Sequence, residues 1–381
     1  MAKAPKETEK QNNGEETKNL LASLLNGYKE DHYNFVPDNP IKVSTGSLLL
    51  DKQVSLTEGI HRFCGFSGAG KSSESLLVLK NFLESGKNHK GVLIKAEGRL
   101  SDNVKNRSGM KFVYSAEEWD YGTCFVLESN LMESICAILE SLIKTCYEKG
   151  ERLGIVLDSV DGLRLKADEK KELGSEKVAG PQGLMKRFLQ RMSLPIQKYG
   201  AVCICISQVS SPIKIDPYSK EPPRMTSGGG GYGLMHFANY ILEFEPRYNG
   251  DNILEDPAAK PDPDKNKIIG HWVSVTIKKS DKENEMTKIK YPIKHGRTGG
   301  NSVWVEYEIT DLLIQWEFVT KKGSWLTFNE SFLKELKDNG FDAPAQIQGL
   351  DNLRELLESN QELTKYLFNK FKKALSADET F

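Results

Sequence analysis

Short apolar runs alternate with helix-length amphipathic segments from about Thr45 to about Gly296. The runs lack strict alternation of polar and apolar residues, which is typical of strands buried on both faces of a parallel sheet. They read IHRFCGF, GVLIKAE, LGIVLDSV, AVCICISQ, YILEFE and WVSVTIKK. The helical segments between them include residues 72–83, 133–147 and 183–197. The pattern predicts an α/β fold, in which a mostly parallel sheet carries helices on both faces.

The two ends of the chain differ from this central part, residues 45–300. Residues 1–17 are polar and charged, which favours a disordered tail. Residues 18–44 contain the amphipathic pattern LLASLLNGY and then an extended stretch after two prolines, so we expect a short N-terminal helical segment. Residues 301–381 have the pattern of a small C-terminal α+β domain that ends in a helical stretch, Asn352–Leu375.

Two long polar stretches interrupt the core, at residues 164–182 and 209–233. Both are rich in glycine, proline and charge, and loops of such length inside a compact domain are usually functional or disordered. A third polar stretch, residues 246–267, is interpreted as a surface loop.

Composition adds limits on function. The net charge is −1, so binding to nucleic acid requires positive charge that is concentrated locally. No apolar run approaches the roughly 18–20 residues of a membrane span, and the amino end has no apolar signal core. The six cysteines lack zinc-ligand spacing. Cys203 and Cys205 alternate, which predicts two thiols on one face of a buried strand in a reduced, cytoplasmic protein.

The segment Gly65-Phe66-Ser67-Gly68-Ala69-Gly70-Lys71-Ser72 matches the phosphate-binding pattern GxxxxGK[ST], and Ser73 follows it. It lies between a strand-like and a helix-like run, which is the context that the motif requires. The glycines let backbone N–H groups surround phosphates. Lys71 can reach the β- and γ-phosphates, and Ser72 Oγ can bind Mg²⁺. We therefore predict that residues 65–73 bind the phosphates of ATP together with Mg²⁺.

Three polar residues follow other buried runs. Asp158 ends the run Leu153–Leu157 and is a candidate to hold the magnesium ion; alone, it could be a strand-end turn. Glu97 is a candidate to orient the attacking water, unless it is only an exposed strand-end glutamate. Gln208 could hydrogen-bond the γ-phosphate and pass its presence to the polar stretch that follows.

The order of these elements resembles the RecA family and, within it, the phage UvsX recombinases most closely. The lead at residues 45–51, the phosphate loop, KAE with Glu97, LDSVDGL with Asp158 and ISQ with Gln208 come in the family's order. Residues 226–231 and 309–326 look like the family's second DNA-binding loop and carboxyl-terminal segment. The resemblance spans about residues 20–375. It implies a DNA-dependent ATPase that catalyses homologous pairing and strand exchange, with Glu97 as the base and Gln208 as the γ-phosphate sensor.

By the same resemblance, the loops at 164–182 and 209–231 face single-stranded DNA along the axis of a filament. Ile213 is placed to wedge between bases, and backbone N–H groups of the glycines would contact phosphates. The implied phosphate contacts are Lys170, Lys171, Lys186, Arg187, Lys214 and Arg224, with Gly228, Gly229 and Gly230. The alternative is that these are solvated loop residues.

Several positions depart from the family pattern. Lys279 fits the first of two cationic groups that reach a neighbour's ATP, whereas Asp281 occupies the second. Ser210 stands where the bacterial proteins carry an arginine that they use on DNA. Residues 98–102 lack the aromatic side chain that could stack on adenine, so the nucleotide preference stays open. The resemblance also implies filament contacts through residues 20–28, Phe35 and Phe237, with ordinary core packing as the alternative.

Two other functions remain open from the sequence: a hexameric replicative helicase of the same fold, and a filament scaffold or mediator that binds ATP and DNA with little turnover. The partners implied by the recombinase reading are single-stranded DNA, homologous duplex DNA, further copies of the chain, and single-strand-binding and loader proteins. No membrane partner is expected. The implied location is the cytoplasm, which would be the host cytoplasm for a phage-encoded protein.

Overall fold

The structure of the protein is a computed structural model that describes residues 7–27, 40–168, 180–210, 226–227 and 231–377. The chain divides into an N-terminal unit, Met1–Asn39, and a main unit, Pro40–Phe381. Within the described part, none of the helices combines the length and apolarity that a membrane span requires.

The N-terminal unit contains helix α1, Glu7–Gly27. The helix agrees with the predicted amphipathic segment, but it begins earlier and includes residues 7–17, for which the sequence predicts a disordered tail. Four of the eleven residues in this stretch are glutamate, which has high helix propensity. Leu20, Leu21 and Leu24 are exposed on α1.

The main unit contains ten α-helices and fourteen strands within its described ranges. The helices are α2 Leu48–Gln53, α3 Lys71–Glu84, α4 Asp102–Ser108, α5 Met132–Glu148, α6 Gly180–Lys198, α7 Gly231–Phe237, α8 Val305–Gln315, α9 Glu330–Asp338, α10 Leu350–Ser359 and α11 Gln361–Ala377. The strands are β1 Gly59–Gly65, β2 His89–Lys95, β3 Lys111–Val113, β4 Thr123–Glu128, β5 Arg152–Asp158, β6 Val202–Ser210, β7 Thr226–Ser227, β8 Tyr240–Phe244, β9 Asn252–Leu254, β10 Ile268–Lys279, β11 Lys288–Lys294, β12 Val319–Lys322, β13 Trp325–Phe328 and β14 Gln346–Gln348.

The large sheet has the strand order β11-β10-β8-β1-β6-β5-β2-β4-β3. Strands from β8 to β3 in that order are parallel, while β10 is antiparallel to both β8 and β11. The predicted mostly parallel sheet is therefore confirmed. Strand β9 pairs with β10, so the expectation that residues 246–267 form only a surface loop is wrong for Asn252–Leu254.

Hydrophobic clusters cover both faces of this sheet, as the pattern predicts. On one face Leu79 of α3 belongs to the same buried cluster as Phe63 of β1. On the other face Ile135 of α5 and Leu189 of α6 cluster with Ile155 of β5. Burial of these apolar side chains is the main contribution that holds helices and strands together.

The C-terminal part consists of α8 to α11 and the antiparallel sheet β12-β13-β14, which confirms the predicted α+β composition. Its core contains Phe332 and Phe371 and also Leu48 of α2. The buried Glu308 of α8 strengthens this attachment, since it accepts hydrogen bonds from Ser47 Oγ at 2.5 Å and from the Leu48 backbone N–H at 2.7 Å. The predicted terminal helical stretch is two helices, which separate at Asn360.

Strand register brings the predicted site residues to one edge of the large sheet. Gly65 at the end of β1 lies opposite Gln208 on β6, and Lys95 at the end of β2 lies opposite Asp158 at the end of β5. Ligands of open α/β sheets bind at the carboxyl ends of the strands. The fold therefore assembles a candidate site at this edge.

Candidate nucleotide-binding site

The phosphate loop connects β1 to the start of α3. Gly65 has a φ of 145°, and a Cβ there would lie 2.2 Å from the carbonyl oxygen of Phe244 on β8. Gly70 adopts a left-handed φ of 99° immediately before α3, a conformation that glycine tolerates best. The two glycines allow the chain to turn tightly and to present the amino end of α3, which favours anions.

Lys71, the first residue of α3, is buried and directed back to the loop. Its Nζ donates hydrogen bonds to the carbonyl oxygens of Gly65 at 2.9 Å and Phe66 at 2.6 Å. Burial lowers the pKa of Lys71, while the negative charges of Asp158 and Glu97 oppose that shift. The lysine is thus held among carbonyl oxygens at the place where the motif predicts phosphate binding. Ser72 is half-buried and Ser73 is exposed.

Asp158 forms an ion pair that the sequence analysis missed. Lys95 Nζ lies 2.6 Å from Asp158 Oδ2, and both side chains are largely shielded from solvent. The signal was present in the sequence, because Lys95 ends the run that precedes Glu97. Ser72 and Asp158 offer the oxygen ligands that Mg²⁺ prefers. A metal ion bound at Asp158 would also lie close to the positive charge of Lys95.

Glu97 and Gln208 are brought together by the fold. Ser159 Oγ donates a hydrogen bond to Glu97 Oε1 at 2.9 Å, and Gln208 Nε2 donates a longer one to Glu97 Oε2 at 3.5 Å. Glu97 is half-buried, whereas Gln208 is exposed. Because both oxygens of the carboxylate have partners, the Glu97 side chain is held in one orientation. One of these partners, Gln208, lies on β6, which pairs with the strand β1 that leads into the phosphate loop.

The turn after Asp158 supplies further site residues that sequence reasoning did not single out. Asp161 Oδ2 accepts a hydrogen bond from the backbone N–H of Gln208 at 2.6 Å. A Cβ at Gly162 would lie 2.4 Å from Glu97 Cγ, so this position must be glycine for Glu97 to lie where it does. Their signal is the segment DSVDG, which follows directly on the predicted magnesium ligand.

Lys279, the candidate for contact with a neighbour's ATP, is engaged within its own chain. Its Nζ donates hydrogen bonds to the carbonyl oxygens of Met235 at 3.2 Å and His236 at 2.8 Å, in the last turn of α7. Asp281 accepts a hydrogen bond from the Tyr240 hydroxyl. A cation near the last carbonyls of a helix also interacts favourably with the helix dipole.

The candidate DNA contacts are only partly covered by the structure. Lys186 and Arg187 lie on α6 and are exposed, and Phe237 is half-buried against the core cluster of α5 and α6. Phe35 and the following DNA candidates lie outside the described residues: Lys170, Lys171, Ile213, Lys214, Arg224, Gly228, Gly229 and Gly230. The roles of all these residues stay predictions.

A cavity of about 290 Å³ lies beside the phosphate loop. Gly70 and Ser73 border it, and Glu74 and Tyr291 form part of its wall. Tyr291 OH donates a hydrogen bond to Glu74 Oε2 at 2.8 Å. Burial raises the pKa of Glu74 to about 8, although the Tyr291 hydrogen bond opposes the shift.

Two histidines face each other in the same wall. His271 Nδ1 and His295 Nε2 are 2.8 Å apart, so the two rings share one hydrogen bond. Burial, with the positive charge of Arg247, lowers the pKa of His271 to about 4, and the same causes lower the pKa of His295. These downward shifts favour the neutral form of both imidazoles. None of the cavity's side chains beyond the phosphate loop was singled out by the sequence analysis.

Comparison with known proteins gives relatives named Protein RecA. The RecA protein of Porphyromonas gingivalis is 27% identical over 221 residues, which is 58% of this chain and 55% of that protein. The chain therefore spans about half the length of this relative. The RecA protein of Chlorobium limicola is 24% identical over 332 residues, 84% of each chain, and that of Rickettsia prowazekii is 24% identical over 302 residues, 78% of each.

No protein-family model matches the chain. The chain is thus similar to proteins named RecA at 24–27% identity, over most of its length in two of the three cases. The mostly parallel sheet with helices on both faces is consistent with a RecA-like core.

Proposed function

We propose that the protein is an ATP-dependent DNA recombinase that forms filaments on single-stranded DNA and catalyses homologous pairing and strand exchange. The similarity to RecA proteins supports this proposal, as does the phosphate loop at the carboxyl edge of a parallel sheet. The sequence resemblance further favours a recombinase of the phage UvsX type, which would work in the host cytoplasm.

The observation that carries the proposal is the position of Gln208. Its side chain donates to Glu97, its backbone N–H donates to Asp161, and its Cα is in register with Gly65 of the phosphate loop. Two residues later β6 ends, where the polar segment 211–225 begins. A change at the γ-phosphate would therefore reach the start of this candidate DNA-binding loop through a single residue.

The chemistry assigned to the site is hydrolysis of ATP. Lys71 and the loop N–H groups would hold the phosphates, and Ser72 and Asp158 would hold Mg²⁺, which neutralises phosphate charge. Glu97 would accept a proton from water as the water oxygen attacks the γ-phosphorus. The bond to the β-phosphate oxygen then breaks, and ADP and inorganic phosphate are the products. Gln208 would lose its phosphate partner, and the attached loop would release DNA.

The DNA-facing roles rest on the resemblance. Lys186 and Arg187 are the described candidates for phosphate contacts, and their exposure on α6 is compatible with that role. Partners would be single-stranded and homologous duplex DNA, further copies of the chain, and single-strand-binding and loader proteins. In a filament, Lys279 would have to leave the α7 carbonyls in order to reach a neighbour's ATP.

A DNA-stimulated ATPase assay combined with a pairing assay tests the proposal. With the wild type, single-stranded DNA is expected to raise ATP turnover, and a circular single strand is expected to exchange with a linear duplex. The variant Glu97→Ala is expected to pair DNA in the presence of ATP without turnover. Equal DNA binding with and without ATP would contradict the proposal. Full hydrolysis by the Glu97→Ala variant would show that Glu97 is not the base.

One observation favours a second candidate, a filament scaffold or mediator with little turnover. Lys279 donates to carbonyl oxygens of its own chain, and the second position, where the family has a cation, is held by the acid Asp281, which accepts from Tyr240. The same ATPase assay separates the two functions, since a scaffold would show no increase in turnover when single strands are added. Strand exchange without unwinding of a duplex would separate the recombinase from a helicase.

A further inference from the structure

One side of the cavity beside the phosphate loop is formed by residues 294–300, at and after the end of β11. We call this segment the wall loop. Gly70 and Ser73 border the same cavity, so a nucleotide held at Lys71 would extend along the wall loop. Three of its seven residues are glycines, which restrict the backbone less than other residues do. The position of the wall loop therefore depends on its contacts with other parts of the fold.

The carboxylate of Glu358 on α10 attaches the wall loop to the C-terminal part. Lys294 Nζ donates to Glu358 Oε1 at 2.5 Å and to Oε2 at 2.6 Å, and an Arg297 guanidinium nitrogen lies 3.1 Å from Oε1. The indole N–H of Trp304 donates to the same Oε1 at 2.7 Å. A single carboxylate thus contacts both cations of the wall loop and a buried tryptophan.

These charged groups are largely shielded from solvent. The exposed fraction of the side chain is 26% for Lys294, 18% for Arg297 and 23% for Glu358. Arg297 also donates to Glu306 Oε2 on α8 at 2.8 Å, so two cations face two carboxylates. Charge-assisted hydrogen bonds between shielded groups hold their partners more firmly than exposed ion pairs do. The network therefore fixes one end of the wall loop against α8 and α10.

The other end of the wall loop is attached to α4. The backbone N–H groups of Gly299 and Gly300 donate to the carbonyl oxygens of Asn106 at 2.9 Å and Arg107 at 2.7 Å. Because these bonds use backbone atoms alone, a substitution at Glu358 leaves them intact. Such a substitution would release only the end of the wall loop that carries the two cations.

We propose that Glu358 is a positioning residue for nucleotide binding. By holding Lys294 and Arg297, it keeps the wall loop in place beside the bound nucleotide, so that the C-terminal part controls how tightly the nucleotide is retained. The inference rests on the proposed binding of ATP at Lys71. It goes beyond that proposal, which gives the C-terminal part no role in binding ATP. Glu358 does not border the cavity, so it acts only through the wall loop.

The test compares binding of MgATP by wild type and Glu358→Gln, measured by titration calorimetry on the full chain. The substitution keeps the size of the side chain but removes the charge that holds Lys294 and Arg297. The dissociation constant is expected to rise about tenfold, the scale of one charge-assisted hydrogen bond. In steady-state hydrolysis KM should rise by a similar factor, while kcat stays within about twofold because the candidate base Glu97 is unchanged.

Glu335→Gln is the matched control. Glu335 lies on α9 in the same C-terminal part, and it accepts hydrogen bonds from Lys370 at 2.5 Å and from Tyr366 at 2.7 Å, but it does not border the cavity or contact the wall loop. Its substitution should lower the melting temperature about as much as Glu358→Gln does and leave ATP affinity unchanged.

Trp304→Phe provides a second variant. It removes one donor to Glu358 without changing any charge, and it should weaken MgATP binding by about two- to threefold. This variant also serves if Glu358→Gln fails to fold, which thermal melting would reveal.

The outcomes separate the inference from the proposed function. Dissociation constants equal to that of the wild type in both Glu358→Gln and Trp304→Phe would overturn the role of Glu358, and so would an equal loss of affinity in Glu335→Gln. Tighter binding by Glu358→Gln would also overturn it, since Glu358 would then only neutralise the two cations. If MgATP does not bind to the wild type, or binds equally well to Lys71→Ala, the proposed function itself fails.

Discussion

Two groups of carboxyl side chains in this protein have opposite surroundings. Glu97 and Asp158 end strands at the sheet edge, where hydroxyl, amide and ammonium groups contact them. Glu74 and Glu308 are buried, none of the described cations pairs with either, and burial raises the pKa of each to about 8. The same chemical group thus has charged and polar partners at the sheet edge in one region, whereas burial favours its neutral, hydrogen-bonding form in the other.

The largest difference should appear when the carboxyl group is replaced by an amide in the first region. Glu97→Gln is expected to lower ATP turnover by roughly 10²- to 10⁴-fold, because an amide cannot accept the proton from water. Nucleotide affinity and thermal stability should change little. Steady-state hydrolysis and calorimetry measure the two effects. Glu84→Gln is the control, since Glu84 is an exposed carboxylate on α3 that pairs with Lys80; equal losses in both variants would contradict a specific role.

The second region should respond through pH. The pKa of Glu308 in the folded protein, about 8, lies above its ordinary value of 4.5, so the folded state binds more protons between these values. The stabilisation that Glu308 contributes is therefore fully present below pH 4.5 and is lost as pH rises through about 8. Between pH 6 and pH 8, the free energy of unfolding should fall by about 2–3 kcal/mol at most through the ionisation of Glu308.

Glu308→Gln is expected to remove this part of the pH dependence. The amide can still accept from Leu48 N–H and donate to Ser47 Oγ, so the fold should persist. Thermal melts of wild type and variant from pH 6 to 9 measure the change. Parallel curves for the two proteins would show that Glu308 is ionised in the folded state.

A smaller effect is expected at the ion pair that links Lys95 to Asp158. Lys95→Met removes a positive charge 2.6 Å from the predicted metal ligand. The Mg²⁺ concentration for half-maximal ATPase activity should fall, by about threefold for the loss of one partly solvated charge. Magnesium titrations of the ATPase measure it. An unchanged magnesium requirement with lower turnover would indicate instead that Lys95 acts on phosphate.

The smallest effect is expected outside both carboxyl groups, on the exposed face of α6. Lys186→Ala should reduce the salt dependence of single-stranded DNA binding by about one unit of slope, with a modest loss of affinity. Arg191→Ala is the control on the same helix, because Arg191 pairs with Glu140 at 3.0 Å. Binding isotherms at several salt concentrations measure both. Identical slopes in wild type and Lys186→Ala would remove this lysine from the interface.

The carboxyl groups at the sheet edge, Glu97 and Asp158, were predictable because short stretches of sequence identify them. The phosphate loop is contiguous, and Glu97, Asp158 and Gln208 each end an apolar run, so the rule that parallel strands share a ligand-binding edge places them together. Strand β11 was missed, since its lysines alternate with apolar residues and it contains Pro292, as edge strands do.

The buried group was not predictable from local pattern. In the sequence Glu74 reads as a solvent-facing helix residue, and its burial depends on Tyr291, more than two hundred positions away. The buried position of Glu308 likewise depends on hydrogen bonds from the turn at Ser47. The partners of Lys279 could not be foreseen, because they are backbone carbonyls whose position depends on where α7 ends.

Strands β6 and β7 pair antiparallel, with Ser210 opposite Thr226. The chain consequently leaves the sheet at Ser210 and returns to it at Thr226, which is its direct neighbour. The distance between these two residues is therefore fixed by their pairing and does not depend on the segment that connects them. Because the cost of closing a loop grows only slowly with its length, insertions or exchanges within residues 211–225 should be tolerated with Gln208 still in place. Under the proposed function, this segment would therefore be the place to exchange sequences in order to alter the preference for DNA.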